Sequence, residues 1–303
     1  MRSHRFSMFV KRSYIRIANI ASIGLPGQEE TSRVKIGPQT HRSSGISASN
    51  EQTILVRGRE LASELIGQVS FTDHFWLLLT GAMPSPAQRR MLDATLVSIA
   101  EHGLVPSVVA SRMTLAAAPE ALQGAVAAGI LGCGSVVLGS AEAAGRFFAQ
   151  IAERAGLEAP LDSPAEALVR QYRTEGRAIP GYGHPLHKGS DPRALRLLEV
   201  AAEVAVAGRH VAIARVVEQV LPSLVGKALS LNVSGAIAAV LLDANYPLLA
   251  LKGIPILARA AGLIAHLIEE QDRPIGFVLS HAAAGAISYD GPAPAGFRPS
   301  DES

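Results

Sequence analysis

The sequence predicts an all-α fold, on three observations. Alanine and leucine abound while aromatic residues make up only 5% of the chain, a balance that favours helices over strands. Apolar residues recur at three- and four-residue spacing in one segment after another, and no stretch sustains the alternation of a half-buried strand. Helix start and stop residues flank several of these segments. At 303 residues, the chain is long enough to bury a substantial core.

Taken in order, residues 1–28 carry Arg2, Arg5, Lys11, Arg12 and Arg16 and no acid. Such a segment reads as a mitochondrial transit peptide or as a disordered extension. Residues 29–53 read as a loose lead-in, so 1–53 are set apart as a flexible N-terminal extension. From Arg57, Leu61, Leu65 and Ile66 fall on one helical face. Ser70 to Gly81 predicts a capped helix with Phe71, Phe75 and Trp76 in the core. Pro84 to Pro86 is a turn, and a helix follows over 87–102. His102 ends it, exposed on the last turn before Gly103. On its residues alone it is a solvent-facing or capping histidine.

Helices are next expected at 105–114 and 121–148, the second interrupted around Gly132–Ser135. Residues 121–141 carry no charge and are long enough to span a membrane. They are poor in Leu, Ile and Phe, however, and are flanked by Glu120 and Glu142 instead of basic residues. A buried central helix is the reading that fits. A more polar stretch over 156–178 holds a mixed-charge helix. Helices follow at 192–206 and 209–220, with Leu221-Pro222 as a break. Residues 232–244 form a helix of small residues. Residues 253–270 are amphipathic apart from Arg259 and His266, and a last apolar piece runs to about Tyr289. The Pro/Gly-rich tail, 290–303, reads as disordered.

Composition narrows the function. A formal net charge of +2 and the lack of basic clusters interleaved with aromatics argue against a nucleic-acid partner. No membrane partner is expected. The single cysteine, Cys133, allows no disulfide within one chain and fits a reducing compartment. A cytoplasmic location follows, or a mitochondrial one if residues 1–28 are a transit peptide.

The chemistry concentrates in Ile179–Arg193. Gly181 and Gly183 flank Tyr182, a spacing that lets the backbone come close to a ligand. Pro185 biases His184 towards an extended conformation, presenting it from a loop. Asp191-Pro192-Arg193 reads as a helix start, with Asp191 as the cap. An arginine in a first helical turn, opposite a loop histidine, suits a carboxylate. His184 and His187 could instead hold a metal, but no cysteine or third histidine lies near them, so no metal is expected. Arg259 interrupts an apolar helix face, where a charge needs a partner. That partner is an acid of the protein or a ligand; the residues alone leave the choice open.

Gly-Tyr-Gly-His-Pro-Leu-His-Lys-Gly-Ser-Asp-Pro-Arg, residues 181–193, resembles the second-histidine motif of the citrate synthase superfamily, and its short stand-alone citryl-CoA lyases most of all. The resemblance runs from about Ile54 to Tyr289. It implies a citrate-synthase-like fold in which 54–142 and 228–289 form a large helical domain and 143–227 a smaller helical insert that closes over the ligand. It makes His184 and His102 the catalytic residues, His102 donating to the substrate's carbonyl or hydroxyl oxygen. Arg193, Arg259 and Arg273 become substrate-binding residues, with Arg273 reaching the neighbouring subunit's site in a homodimer. Gly181, Gly183 and Lys188 are assigned to coenzyme A. The thioester is a substrate, and no permanently bound cofactor is implied.

Two departures matter. Where the family has its first catalytic histidine, in a His-Gly-Gly segment, this chain has Val137 within Gly134–Glu142. Where the family has Asn-Val-Asp, with the aspartate as carbon base, this chain reads Asn232-Val233-Ser234. Ser234 is a poor base at neutral pH, and Asp243 lies too far along the same helix to replace it. The best reading is therefore cleavage of citryl-CoA to acetyl-CoA and oxaloacetate. The alternatives are a citrate synthase and a catalytically impaired paralogue that binds coenzyme A or a dicarboxylate.

Overall fold

In the computed structural model the described residues are 42–156, 160–183 and 189–297. Eleven helices make up most of these, and from Gly45 onward the chain forms one unit. The first elements are three short antiparallel strands, β1 (Ser47–Ser49), β2 (Ile54–Val56) and β3 (Arg59–Glu60). The lead-in expected to be loose thus contains β1, and the helix expected from Arg57 shrinks to one π-helical turn, Leu61–Leu65. The reason is the dipeptide Arg57-Gly58, with φ of 51° and 80°. Two successive positive φ values make the tight hairpin turn that matches strand twist. Arg57 then donates through Nε and Nη2 to the Leu78 carbonyl, at 2.9 and 2.6 Å. Ile66, expected on a buried face, is exposed.

Helix α1 (Phe71–Thr80) starts at a reciprocal cap between Ser70 and Asp73 and ends at Gly81 in the left-handed conformation. Trp76 is buried and Phe75 lies against the core, but Phe71, at the first helical position, points outward and is 67% exposed. Helix α2 (Pro86–Ala100) begins at a second reciprocal cap, Ser85 with Gln88. Helices α3 (Pro106–Ala117), α4 (Leu122–Leu138) and α5 (Ser140–Ala155) follow, α4 being broken at Gly134, where φ is 57° and ψ −177°. Then come α6 (Asp162–Thr174), α7 (Pro192–Glu203) and α8 (Arg209–Val225).

Helix α8 runs straight through Pro222, which the sequence reading made a break. A proline inside a helix forfeits a hydrogen bond and crowds the preceding turn. Here Leu221 is fully buried and Leu224 and Val225 pack against the core, while Arg173 donates to the Leu224 carbonyl at 2.7 Å. Burial of side chains worth about 1.5–3 kcal/mol each holds that last turn in place.

The central helix is α9 (Val233–Asp243), buried from Gly235 to Leu241 and packed against α2, α5, α7 and α8. Small residues along it allow that many neighbours. The 121–141 stretch, expected in this role, is instead covered on one side by α3 and α10 (Gly253–Asp272), and leaves Leu131 80% exposed. Residues 122–155 and 248–272 are each long and apolar enough to cross a membrane. The last helix, α11 (Gly276–Gly285), packs on α3 and exposes Phe277 and Val278. Arg112 of α3 binds this corner together. Its buried guanidinium contacts Glu270 at 2.5 Å, Glu269 at 2.8 Å and the Arg273 carbonyl at 2.9 Å, while Glu270 accepts from the first amides of α11.

Candidate active site

Gly181 and Gly183 have φ of 87° and 78°, values only glycine adopts readily. They carry a short extended segment that pairs with the residues before α9. Gly183 donates to Ser230, Asn232 donates to Gly181, and Tyr182 bridges Leu231. A methyl on Gly181 would meet the Gly235 Cα at 2.9 Å, so the loop and the start of α9 touch backbone to backbone. The Tyr182 phenol anchors the segment by donating to the Ala214 carbonyl, and burial pushes its pKa well up. Asn232 caps α9 through its side-chain oxygen while its amide nitrogen donates to the Gly183 carbonyl.

Asp191 caps α7 as the sequence predicts, and does more. Its two carboxylate oxygens accept from Nε and Nη2 of Arg193, at 3.0 and 2.9 Å, and one of them also accepts from the Val233 amide at 3.0 Å. Burial by itself would raise this carboxyl, but the Arg193 contact and the two helix amides outweigh it and hold it below the usual aspartate range. The guanidinium of Arg193 is thereby oriented from behind, and its Nη1 makes no hydrogen bond to a described residue.

These elements surround a cavity of about 680 Å³. Arg193, Arg259 and His102 all line it, as do Gly181, Gly183, Asn232 and Ser234. Arg259 is only 8% exposed, and its Nη1 is buried with no hydrogen-bond partner among the described residues. A guanidinium left in that state lacks an anion. Among the described residues no acid is hydrogen-bonded to that nitrogen. Four helices also aim their first turns at the cavity: α3 through Val105–Ser107, α5 through Gly139–Ala141, α7 through Arg193 and α9 through Asn232–Ser234. The starts of α3 and α5 have no side-chain cap. No Asp or Glu is found among the described residues lining the cavity. The site is built for negative charge.

His102 sits two residues beyond the end of α2 and is half-buried, not on the last exposed turn. Its neighbour Glu101 was passed over in the sequence, although an acid beside a candidate histidine was the available signal. Arg273 does not reach this cavity; its side chain is 78% exposed, 3.9 Å from Asp272. Val137 and Cys133 line the cavity, and Val137 leaves its wall apolar where the resemblance places a histidine. Asp243 is committed elsewhere. It accepts from the amides of Gly208, His210 and Val211 and contacts the His210 ring at 2.9 Å, capping α8. His184, His187 and Lys188 lie outside the described residues. Among the described residues no three His, Cys, Asp or Glu side chains gather as a metal site.

Comparison with known proteins agrees with this geometry. Residues 40–276 match the family model for the C-terminal domain of citrate synthase. Citryl-CoA lyase from Hydrogenobacter thermophilus superposes with a TM-score of 0.74 at 32% identity, over 84% of this chain and 97% of that one. ATP citrate lyase from Methanothrix soehngenii, solved with citrate and coenzyme A, shares the fold with a TM-score of 0.67 at 23% identity, over 85% of this chain and 43% of its own. The citrate/2-methylcitrate synthase of Bacillus subtilis is 28% identical over 206 residues, 67% of this chain and 53% of its own length. The chain spans about half the length of the curated relatives it matches. With the all-α fold, the paired arginines and the motif at 181–193, these likenesses leave one conclusion: the chain belongs to the citrate synthase family.

Proposed function

We propose that the protein cleaves citryl-CoA to acetyl-CoA and oxaloacetate. One observation carries the reading: two arginines and a histidine face one cavity that no described acid lines. Arg193 and Arg259 suit the two carboxylates of the oxaloacetate half, since a guanidinium grips a carboxylate through two parallel bonds. Cleavage starts at the tertiary hydroxyl of citryl-CoA. A base takes its proton, the oxygen's electron pair forms the ketone of oxaloacetate, and the carbon–carbon bond gives its pair to the acetyl thioester as an enolate. Protonation of that enolate completes acetyl-CoA. His184 is the base in this scheme, and His102 donates to the hydroxyl oxygen as charge develops there.

Condensation would begin differently, by pulling a proton from the methyl carbon of acetyl-CoA. That step calls for a well-placed carboxylate, and Ser234 stands at the corresponding place on the cavity wall. The missing acid burdens proton transfer at that carbon in both directions, but an enolate can take its proton from water, whereas condensation cannot begin without a base, so the absence weighs against a synthase. Coenzyme A enters as part of the substrate, with Gly181, Gly183 and Lys188 as its contacts, and no permanent cofactor takes part. The insert 143–227 closes over the ligand against 54–142 and 228–289.

The working form is a homodimer in this proposal. Helices α4 and α11 leave Leu131, Phe277 and Val278 in water, and Arg273 is exposed just before α11. In the proposed dimer a second copy covers these apolar residues, and Arg273 reaches the neighbouring cavity. The direct test is incubation with citryl-CoA, with oxaloacetate and citrate assayed separately. Oxaloacetate without citrate is expected; citrate would indicate a synthase, and neither product would leave a binding paralogue.

A further inference from the structure

His266 and Glu101 form a contact that the chemistry above does not use. They lie on different helices, at the end of α2 and three-quarters of the way along α10. The His266 Nε2 is 2.9 Å from a carboxylate oxygen of Glu101. The other carboxylate oxygen accepts from the Gly103 amide. One acid thus holds the turn that carries His102 through the amide of the next residue, and one histidine holds the acid. The ring is buried deeply enough that its Nδ1 has no partner among the described residues. An orphaned ring nitrogen is unfavourable, so something else at this position favours a histidine.

The same stripe of α10 completes the picture. Arg259, Gly262 and His266 follow one another at helical spacing along the side facing α2. At Gly262 the helices touch so closely that a methyl would lie 2.1 Å from the Ala100 carbonyl oxygen. Arg259 faces the cavity on one side of this contact, and the Glu101 contact holds the His102 turn on the other. We propose that His266 and Glu101 are positioning residues, which fix the His102 turn against α10 so that His102 and Arg259 address one ligand together. Neither touches the cavity; both act through His102. The inference rests on the reading of that cavity as the substrate site.

Two measurements on the full chain test it. The first needs no activity: the imidazole resonances of isotope-labelled histidine, with the His102 signal assigned by its loss in His102→Gln. His266→Ala should move the His102 signal, and His74→Ala, on α1 and outside the cavity lining, should not. Glu101→Gln, which keeps the side chain's shape, serves if His266→Ala fails to fold. An unmoved His102 signal in a folded variant of the pair overturns the proposal. The second is a double-mutant cycle on citryl-CoA cleavage. His266→Ala should lower kcat by about 10²-fold with little change in KM, the size expected for a misplaced group. In a His102→Gln background the same change should add nothing. Losses that multiply would show His266 acting elsewhere and overturn the proposal. A wild-type chain without cleavage would instead refute the function, and the resonance measurement alone would then decide the pair.

Discussion

Arg259 is a charge held where charge is unfavourable, and it sharpens what substitution should do. Removing it deletes a buried guanidinium with an unpartnered nitrogen. Arg259→Met is therefore expected to leave the melting temperature unchanged or raised while weakening oxaloacetate binding by ~1.5–3 kcal/mol, the usual worth of a charged hydrogen bond. Calorimetry with oxaloacetate checks it, and unchanged affinity would remove the arginine from the site. Arg193→Ala should behave differently, because Asp191 loses its paired cation while staying buried. It should lose both affinity and ~1–3 kcal/mol of stability. The contrast between the two arginines follows from their surroundings. Much of this was legible in the sequence. Arg259 announces itself by breaking an apolar face, and Arg193 by following Asp-Pro. The acid-free wall was half legible, through Ser234 and Val137. What was hidden were contacts between distant segments: the Val233 amide on Asp191, and the His266 ring on Glu101.

Among the helices, the start of α8 shows how a cap can come from outside. Gly208 offers no side chain, and Asp243, at the end of α9, supplies the acceptor for three amides. Burial pushes the Asp243 carboxyl up, but the contacts to His210 and the amides prevail and lower it. A folded pKa below the unfolded one stabilises at any pH above the ordinary aspartate value and is lost as pH falls through the lowered one. Asp243→Asn should therefore destabilise the protein at neutral pH and flatten its unfolding curve below about pH 4, where wild type is losing this contribution. Equal pH dependence in the two proteins would contradict the assignment. Helix starts with local caps, such as Ser70 and Asp191, were readable because cap and helix are adjacent. The hairpin at Arg57-Gly58 was misread because the apolar residues at helical spacing, Leu61, Leu65 and Ile66, lie beyond it, in and just after the single π-helical turn. Pro222 was misread because local propensity says nothing of the burial on either side of it.

For the whole molecule, the exposed apolar faces of α4 and α11 are the largest mismatch between sequence and single chain. A stretch that reads as central has one side bare, which is what a shared core between two copies would look like. Leu131→Glu or Phe277→Arg should yield a folded monomer by sedimentation, and a wild-type monomer would remove the homodimer. Mixing Arg273→Ala with His184→Ala should then restore some activity through one intact site per mixed dimer. Asp191 has a different reach. Its carboxylate joins the start of α7 to the start of α9, two helices whose first turns both face the cavity. The first amide of a helix ordinarily has no partner but water, and it trades its hydrogen for deuterium almost at once. Val233 should be an exception: its amide is expected to exchange as slowly as those of the core, and to quicken when Asp191 is replaced by asparagine. The beginning of α9 would then open no sooner than its middle.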